Sequence, residues 1–235
     1  MKKEFEKRIL SSFIIIPIAL FFVIKGSTFF IFFLSIFFLA SSYEWLKMTK
    51  KNLIKIFGIL YLCLTFYSAF LLRNEAGLNF FIFIIIICIF TDIGGYIFGK
   101  TFKGPKLTKI SPNKTYSGVL GSFIISVMAA SIFSQYQKSF TLFEIYILNN
   151  NDLSYILIIL LISAISQIGD LIISYFKRLA KIKNTGNLLP GHGGLLDRID
   201  GIIFVIPLSY LLFIYLKKRK KKLQYLDQPV LLEKH

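Results

Sequence analysis

Apolar residues in this chain come in long runs, not in the alternation of a half-buried strand or the one-sided stripe of a soluble helix. The runs cover residues 9–24, 27–43, 53–72, 78–99, 117–136 and 153–176, with a seventh from 199 to 216. Each is about as long as a helix must be to cross a hydrocarbon layer of roughly 30 Å. The pattern predicts an all-α fold, a polytopic transmembrane helical bundle of about seven spans, within a range of six to eight. The first run follows the basic segment Met1-Lys2-Lys3-Glu4-Phe5-Glu6-Lys7-Arg8 and no small-residue cleavage site comes after it, so it reads as a retained span. The run at 153–176 carries Gln167, Gly169 and Asp170 near its end and is the candidate for a broken or re-entrant helix, which is tolerated where backbone lines a polar cavity.

No repeat or soluble domain interrupts the pattern. Residues 1–235 form one membrane domain, divided into N-terminal spans (1–75), spans and loops that carry the candidate chemistry (76–216) and a basic tail (217–235).

Charge changes this picture only in its sidedness. The formal net charge is +16, but the Lys and Arg residues lie in short connections and tails, not along a soluble face, so topology accounts for them and a nucleic-acid partner is not expected. With the N-terminus inside, the connections 44–52, 100–116 and 177–198 share one side. They hold Lys47, Lys50 and Lys51; Lys100, Lys103, Lys106, Lys109 and Lys114; and Lys177, Arg178, Lys181, Lys183 and Arg198. The opposite connections offer Lys25, Arg73 and Lys138. The positive-inside rule makes the three basic loops cytoplasmic, the expected setting being a bacterial inner membrane. The run Lys217-Lys218-Arg219-Lys220-Lys221-Lys222 dissents, because seven spans would leave it outside. Cys63 and Cys88 both fall in apolar runs and read as buried thiols.

The candidate chemistry concentrates in Leu189-Pro190-Gly191-His192-Gly193-Gly194-Leu195-Leu196-Asp197-Arg198-Ile199-Asp200, between two apolar runs. Glycines allow close backbone approach to a phosphate, carboxylates can hold a divalent cation, and Arg198 keeps its charge. Asp197 and Asp200 are three apart and share a helix face; the plain reading of Asp197 is an N-cap. His192 can orient a phosphate, donate a proton or simply form a turn. Asp170 is a carboxylate beside Leu171-Ile172-Ile173, expensive near lipid unless it meets a cation or water. On a helix it would begin a polar stripe through Ser174, Lys177, Arg178 and Lys181, whose plain reading is an internal Asp–Lys pair with snorkelling basic residues. Asp92 ends another run, with Gly95 and Gly99 one turn apart near its face, a spacing that suits close helix packing. The next loop, Ile110-Ser111-Pro112-Asn113-Lys114-Thr115-Tyr116-Ser117-Gly118, offers hydroxyls, a lysine and a pre-helical turn able to bind an anion.

At these residues the chain resembles the phosphatidate cytidylyltransferase (CDP-diacylglycerol synthase) family. The resemblance runs through Gly169-Asp170, Ser174, Phe176, Lys177, Arg178, Lys183, Gly186, Leu189, Pro190, His192, Gly193, Gly194, Asp197, Arg198 and Asp200. A second stretch comprises Asp92, Gly95, Tyr96, Gly99, Ile110-Ser111-Pro112, Lys114-Thr115 and Gly118. Three positions depart from the family's usual acidic residues: Ser117, Ile173 and Asn184.

The resemblance implies transfer of the cytidylyl group from CTP to phosphatidate at a membrane boundary, giving CDP-diacylglycerol and pyrophosphate. It implies Mg²⁺ held by Asp170 and Asp197, with Asp200 and Asp92 as further ligands or supporting groups, and a monovalent cation and a homodimer as open additions. Lys177, Arg178 and Arg198 would bind the triphosphate or lipid phosphate, aided by backbone N–H groups of Gly193 and Gly194. His192 and Ser174 would stand in the site, and Ser111, Lys114 and Thr115 would close it from the other loop. Competing readings are a CTP-dependent lipid-alcohol kinase and an ion or proton transporter. Charge clustered at one membrane face, not across the midplane, weighs against transport.

Overall fold

A computed structural model describes residues 13, 17–108, 110–136, 152–188 and 193–226. His192, the preceding Leu189–Gly191, Lys109 and Lys138 lie outside the described residues, as does the start of the first apolar run. Helix α1 covers residues 17–25, followed by α2 (Ser27–Met48), α3 (Asn52–Leu71), α4 (Leu78–Phe102), α5 (Tyr116–Tyr136), α6 (Asp152–Leu179), the short α7 (Leu196–Ile199) and α8 (Ile202–Leu226). No strand occurs among the described residues; one isolated bridge pairs Lys106 with Thr115.

Five of these helices are long and apolar enough to cross a membrane, against the expected count of about seven: Ser27–Met48, Asn52–Ala76, Leu78–Phe102, Tyr116–Tyr136 and Leu153–Leu179. The two other runs differ for separate reasons. The first is only partly described. The last is interrupted at Asp200–Gly201, and α8 stays apolar only from Ile202 to Leu216, about 22 Å of helical rise. The expected break in α6 does not occur: the helix runs unbroken through Gln167, Gly169 and Asp170. Glycine weakens a helix by only ~1 kcal/mol, which neighbouring packing offsets.

Large apolar side chains cover the outside of the bundle, among them Phe32, Leu39, Leu53, Phe57, Leu120 and Leu211. In water such a surface would aggregate; in lipid it is the ordinary exterior of an integral membrane protein. Cys88 is buried as expected, but Cys63 is exposed on this surface. The inner packing falls into two clusters. One centres on Phe30, Phe83, Ile84, Ile87, Ile159 and Val205, with α4 in the middle. The other gathers Trp45, Met48, Leu62, Ile173, Leu196 and Ile203 beneath the polar loops.

The α4–α5 contact is a seam of small residues, as the glycine spacing predicts. A Cβ at Gly94 would stand 2.5 Å from the Gly121 carbonyl oxygen, and one at Gly118 would stand 2.8 Å from that of Gly95. Ser122 Oγ donates to the Thr91 carbonyl at 2.7 Å across the same seam, and Thr91 Oγ1 meets Ser163 Oγ of α6 at 2.9 Å. The seam therefore fixes the end of α4 that carries Asp92 against α5 and α6.

The connections 44–52, 100–116 and 177–198 meet at one end of the bundle, joined by contacts of Glu44 with Thr185, Lys114 with Asp170, and Arg178 with Ile110. The other end holds Arg73, whose Nε donates to the Val23 carbonyl at 3.0 Å. There Lys217 lies 3.4 Å from Glu75. The basic run of α8 thus begins at the end opposite the three basic loops.

Candidate active site

Where those loops converge, the ends of α4, α5 and α6 and the α7–α8 junction enclose a cavity of about 380 Å³. Asp92 reaches it from α4, Asp170 and Lys177 from α6, Asp197 from α7 and Asp200 from the junction, with Ser111, Lys114 and Thr115 supplied by the loop before α5. Two separate sequence stretches, residues 91–122 and 167–200, therefore build one polar chamber.

The loop holding Lys114 is shaped by backbone geometry. Lys103 and Gly104 turn the chain out of α4 with positive φ of 54° and 83°, a region glycine enters without cost. Leu107 N–H then donates to the Lys114 carbonyl at 2.8 Å, and Lys114 N–H to that of Ser111 at 3.1 Å. The Gly118 N–H donates to Thr115 Oγ1 at 3.1 Å, so Thr115 serves as the N-cap of α5. Its expected substrate contact is shared with this structural task. Lys114 is delivered across the chamber, where its Nζ lies 2.6 Å from Asp170 Oδ2 and 3.2 Å from the Gln167 carbonyl. Asp170 also accepts from Ser174 Oγ at 3.2 Å, one helical turn on.

The expected stripe on α6 forms, but its internal Asp–Lys pair does not. Asp170 takes Lys114 from another loop, and Lys177 reaches Asp197 instead, Nζ to Oδ1 at 2.7 Å. Arg178 Nε donates to the Ile110 carbonyl at 3.3 Å, pinning the two basic loops together. Lys181 lies beyond the helix end with φ of 58°. Arg198, beside Asp197 in α7, is exposed and is not among the residues that line the chamber.

Asp197 is not an N-cap. Its Oδ2 accepts from Thr185 N–H at 2.8 Å and Gly194 N–H at 3.2 Å, both earlier in the chain. The Gly194 N–H, expected to face a phosphate, is thus already spent on Asp197. Gly193 precedes it with φ of 88°, the conformation that lets the chain turn back toward Asp197. Asp200 Oδ1 accepts the Gly201 N–H at 2.9 Å. Asp92, Asp170 and Asp200 thus face the same chamber, three carboxyl groups brought together from α4, α6 and the α7–α8 junction.

Sequence reasoning overlooked Glu44 and Thr185. Glu44, near the end of α2, is 1% exposed. It accepts from Thr185 Oγ1 at 2.7 Å, Leu195 N–H at 2.9 Å and Leu196 N–H at 2.8 Å. The available signal was a lone carboxylate in an otherwise uncharged run from Ser27 to Trp45, which requires a partner wherever it is buried.

For metal binding, the chamber offers oxygen donors, the chemistry a hard cation takes. Among the described residues no three His, Cys, Asp or Glu side chains form a ready cage. Asp170 and Asp197 instead each hold a lysine ammonium.

A profile of the cytidylyltransferase family matches residues 50–216, which takes in the whole chamber. The chain belongs to this family. It is 30% identical over 218 residues to a phosphatidate cytidylyltransferase of Rickettsia conorii, covering 92% of this chain and 94% of that protein. A phosphatidate cytidylyltransferase of Bacillus subtilis is 38% identical over 156 residues, 65% of this chain and 55% of the relative. One from Staphylococcus epidermidis is 38% identical over 143 residues, 60% and 51% respectively. The chain thus spans about half the length of these last two relatives and nearly all of the rickettsial one.

The three departures from the cytidylyltransferase pattern have visible surroundings. Ser117 Oγ donates to the Lys103 carbonyl at 2.6 Å, bracing the loop before α5. Ile173 packs in the apolar cluster with Trp45 and Leu196, where a carboxylate would have to be desolvated. Asn184 stands beside Gly193.

Proposed function

We propose that the protein transfers the cytidylyl group of CTP to phosphatidate, releasing pyrophosphate and forming CDP-diacylglycerol. The observation that carries this reading is the pairing of Lys114 with Asp170 and Lys177 with Asp197 inside one chamber at the end of the membrane bundle. The family membership and the activity of the relatives, as their names give it, support it.

The reaction joins two anions: an oxygen of the lipid phosphate attacks the α-phosphorus of CTP, and the bond from that phosphorus to the bridging oxygen of pyrophosphate breaks. The chief obstacle is charge, so fixed cations matter more than a base. Lys177, Arg178 and Arg198 would face the triphosphate or the lipid phosphate, with Ser111, Lys114 and Thr115 closing the site from the adjoining loop. Ser174 orients the Asp170 carboxylate, and Thr185 and Gly194 orient that of Asp197. Asp170 and Asp197, with Asp200 and Asp92 in support, would hold a Mg²⁺ ion, which when bound would supply charge neutralisation at the phosphates. Lys114 and Lys177, which rest on these carboxylates, would turn their ammonium groups to phosphate oxygens when substrate enters. The acyl chains stay in the bilayer while the headgroup enters from the side. We place the chamber on the cytoplasmic face of a bacterial inner membrane, following its basic loops.

The test is product analysis. Purified protein in phosphatidate-containing vesicles, given CTP labelled at the α-phosphate, is expected to move label into lipid and release pyrophosphate in equal amount. Label recovered as CDP would instead indicate transfer of the terminal phosphoryl group, and ion flux without lipid labelling would indicate a transporter.

A further inference from the structure

A residue outside the family-matched segment helps to shape the site. Glu44 lies before the family-matched region, which begins at residue 50, yet its carboxylate touches both described flanks of the glycine-rich stretch. On one flank Thr185 Oγ1 donates to Oε2 at 2.7 Å; on the other the Leu195 and Leu196 N–H groups donate to Oε1 and Oε2. Both flanks also carry a glycine packed against Glu44. A Cβ at Gly186 would stand 2.7 Å from Glu44 Oε1, its three nearest neighbours all being Glu44 side-chain atoms. A Cβ at Gly194 would stand 2.6 Å from Oε2 and would collide with Thr185 Oγ1.

The link to chemistry runs through Thr185. Its hydroxyl has one proton, and the Glu44 contact at 2.7 Å is shorter than the 3.1 Å one to Asp197. Its backbone N–H goes to Asp197 Oδ2 at 2.8 Å. Asp197 in turn holds Lys177. We propose that Glu44 is a positioning residue: it clamps the two flanks together so that Thr185 and Gly194 aim Asp197, and through it Lys177, at the reacting phosphate. This rests on the reading of the activity given above.

A carboxylate is specifically required. Three donors converge on two oxygens, so the amide of Glu44→Gln must turn an NH₂ toward at least one N–H. In Glu44→Gln, kcat is expected to fall by about tenfold or more, the scale of one lost charge-assisted bond, and saturating CTP should not restore it. The thermal midpoint should fall by only a few degrees, about the effect of one unsatisfied buried N–H in a chain of this size, while hydrogen exchange at the Leu195 and Leu196 amides quickens. Gly186→Ala, which presses on Glu44 from the other side, should act in the same direction. Adding Glu44→Asp, one methylene shorter, should return part of the activity lost in Gly186→Ala. If Glu44→Gln does not insert, that pair of variants carries the test. Wild-type kcat and wild-type exchange in Glu44→Gln would overturn the proposal, as would strictly multiplicative losses in the double variant. A wild-type protein that makes no CDP-diacylglycerol would refute the proposed activity instead, and the exchange measurement would still decide the role of Glu44.

Discussion

Asp197 concentrates the site's logic at the scale of single residues. One of its oxygens takes Lys177 and the other takes backbone donors from Thr185 and Gly194. Asp197→Asn can keep the backbone bonds through its carbonyl oxygen but turns an NH₂ toward the Lys177 ammonium. The variant is expected to insert normally and to lose CTP-dependent turnover by 10²-fold or more, about the effect of removing one preorganised electrostatic partner; lipid labelling with membrane-inserted protein measures both. Lys177→Ala leaves a largely buried carboxylate without its cation. Its stability should drop by about 3 kcal/mol, read as a lower thermal midpoint in detergent, in addition to its loss of activity. Asp170, Asp197 and Lys177 were all legible as charged residues in the wrong solvent. Their partners were not, because spacing along one helix suggests Asp170 with its own Lys177, whereas the fold supplies Lys114 from a loop more than 50 residues away.

The α4–α5 seam shows what an element contributes. In lipid there is little hydrophobic drive between helices, so close approach of small residues must hold them. Gly94→Ala would press its methyl on the Gly121 carbonyl, a backbone atom that cannot swing aside. The variant should lose about 1–3 kcal/mol, seen in thermal unfolding, and activity should fall with it because Asp92 and the loop bearing Lys114 ride on this seam. The seam itself was readable from Gly95 and Gly99. The continuity of α6 was not, since Gly169 and Asp170 resemble a break until α8 packs beside them: a Cβ at Gly169 would meet the Phe204 ring at 2.6 Å. The glycine there admits a neighbour; it does not end the helix.

Considered as a whole, the molecule gathers three basic connections at one end and starts its basic C-terminal run at the other. Single cysteines at Lys50, Lys103 and Lys183, placed in a Cys63→Ser/Cys88→Ser background, should react with an impermeant maleimide from the same side of sealed vesicles. One at Lys221 should react from the opposite side. Labelling of positions 103 and 183 from different sides would break the chamber apart and with it the proposed reaction.

The sequence by itself determined the class of solvent, the helical architecture and the stretches that bear charge, because hydropathy and helix length are local properties fixed by the bilayer. It also marked Asp92, Asp170, Asp197 and Asp200 as the acids to explain. Only the tertiary structure decided which ammonium meets which carboxylate, that the Gly194 N–H serves Asp197, and that Glu44 from a distant helix ties the glycine-rich stretch together. Those pairings depend on distances between segments far apart in the chain, and they are set by helix packing, which no local pattern encodes.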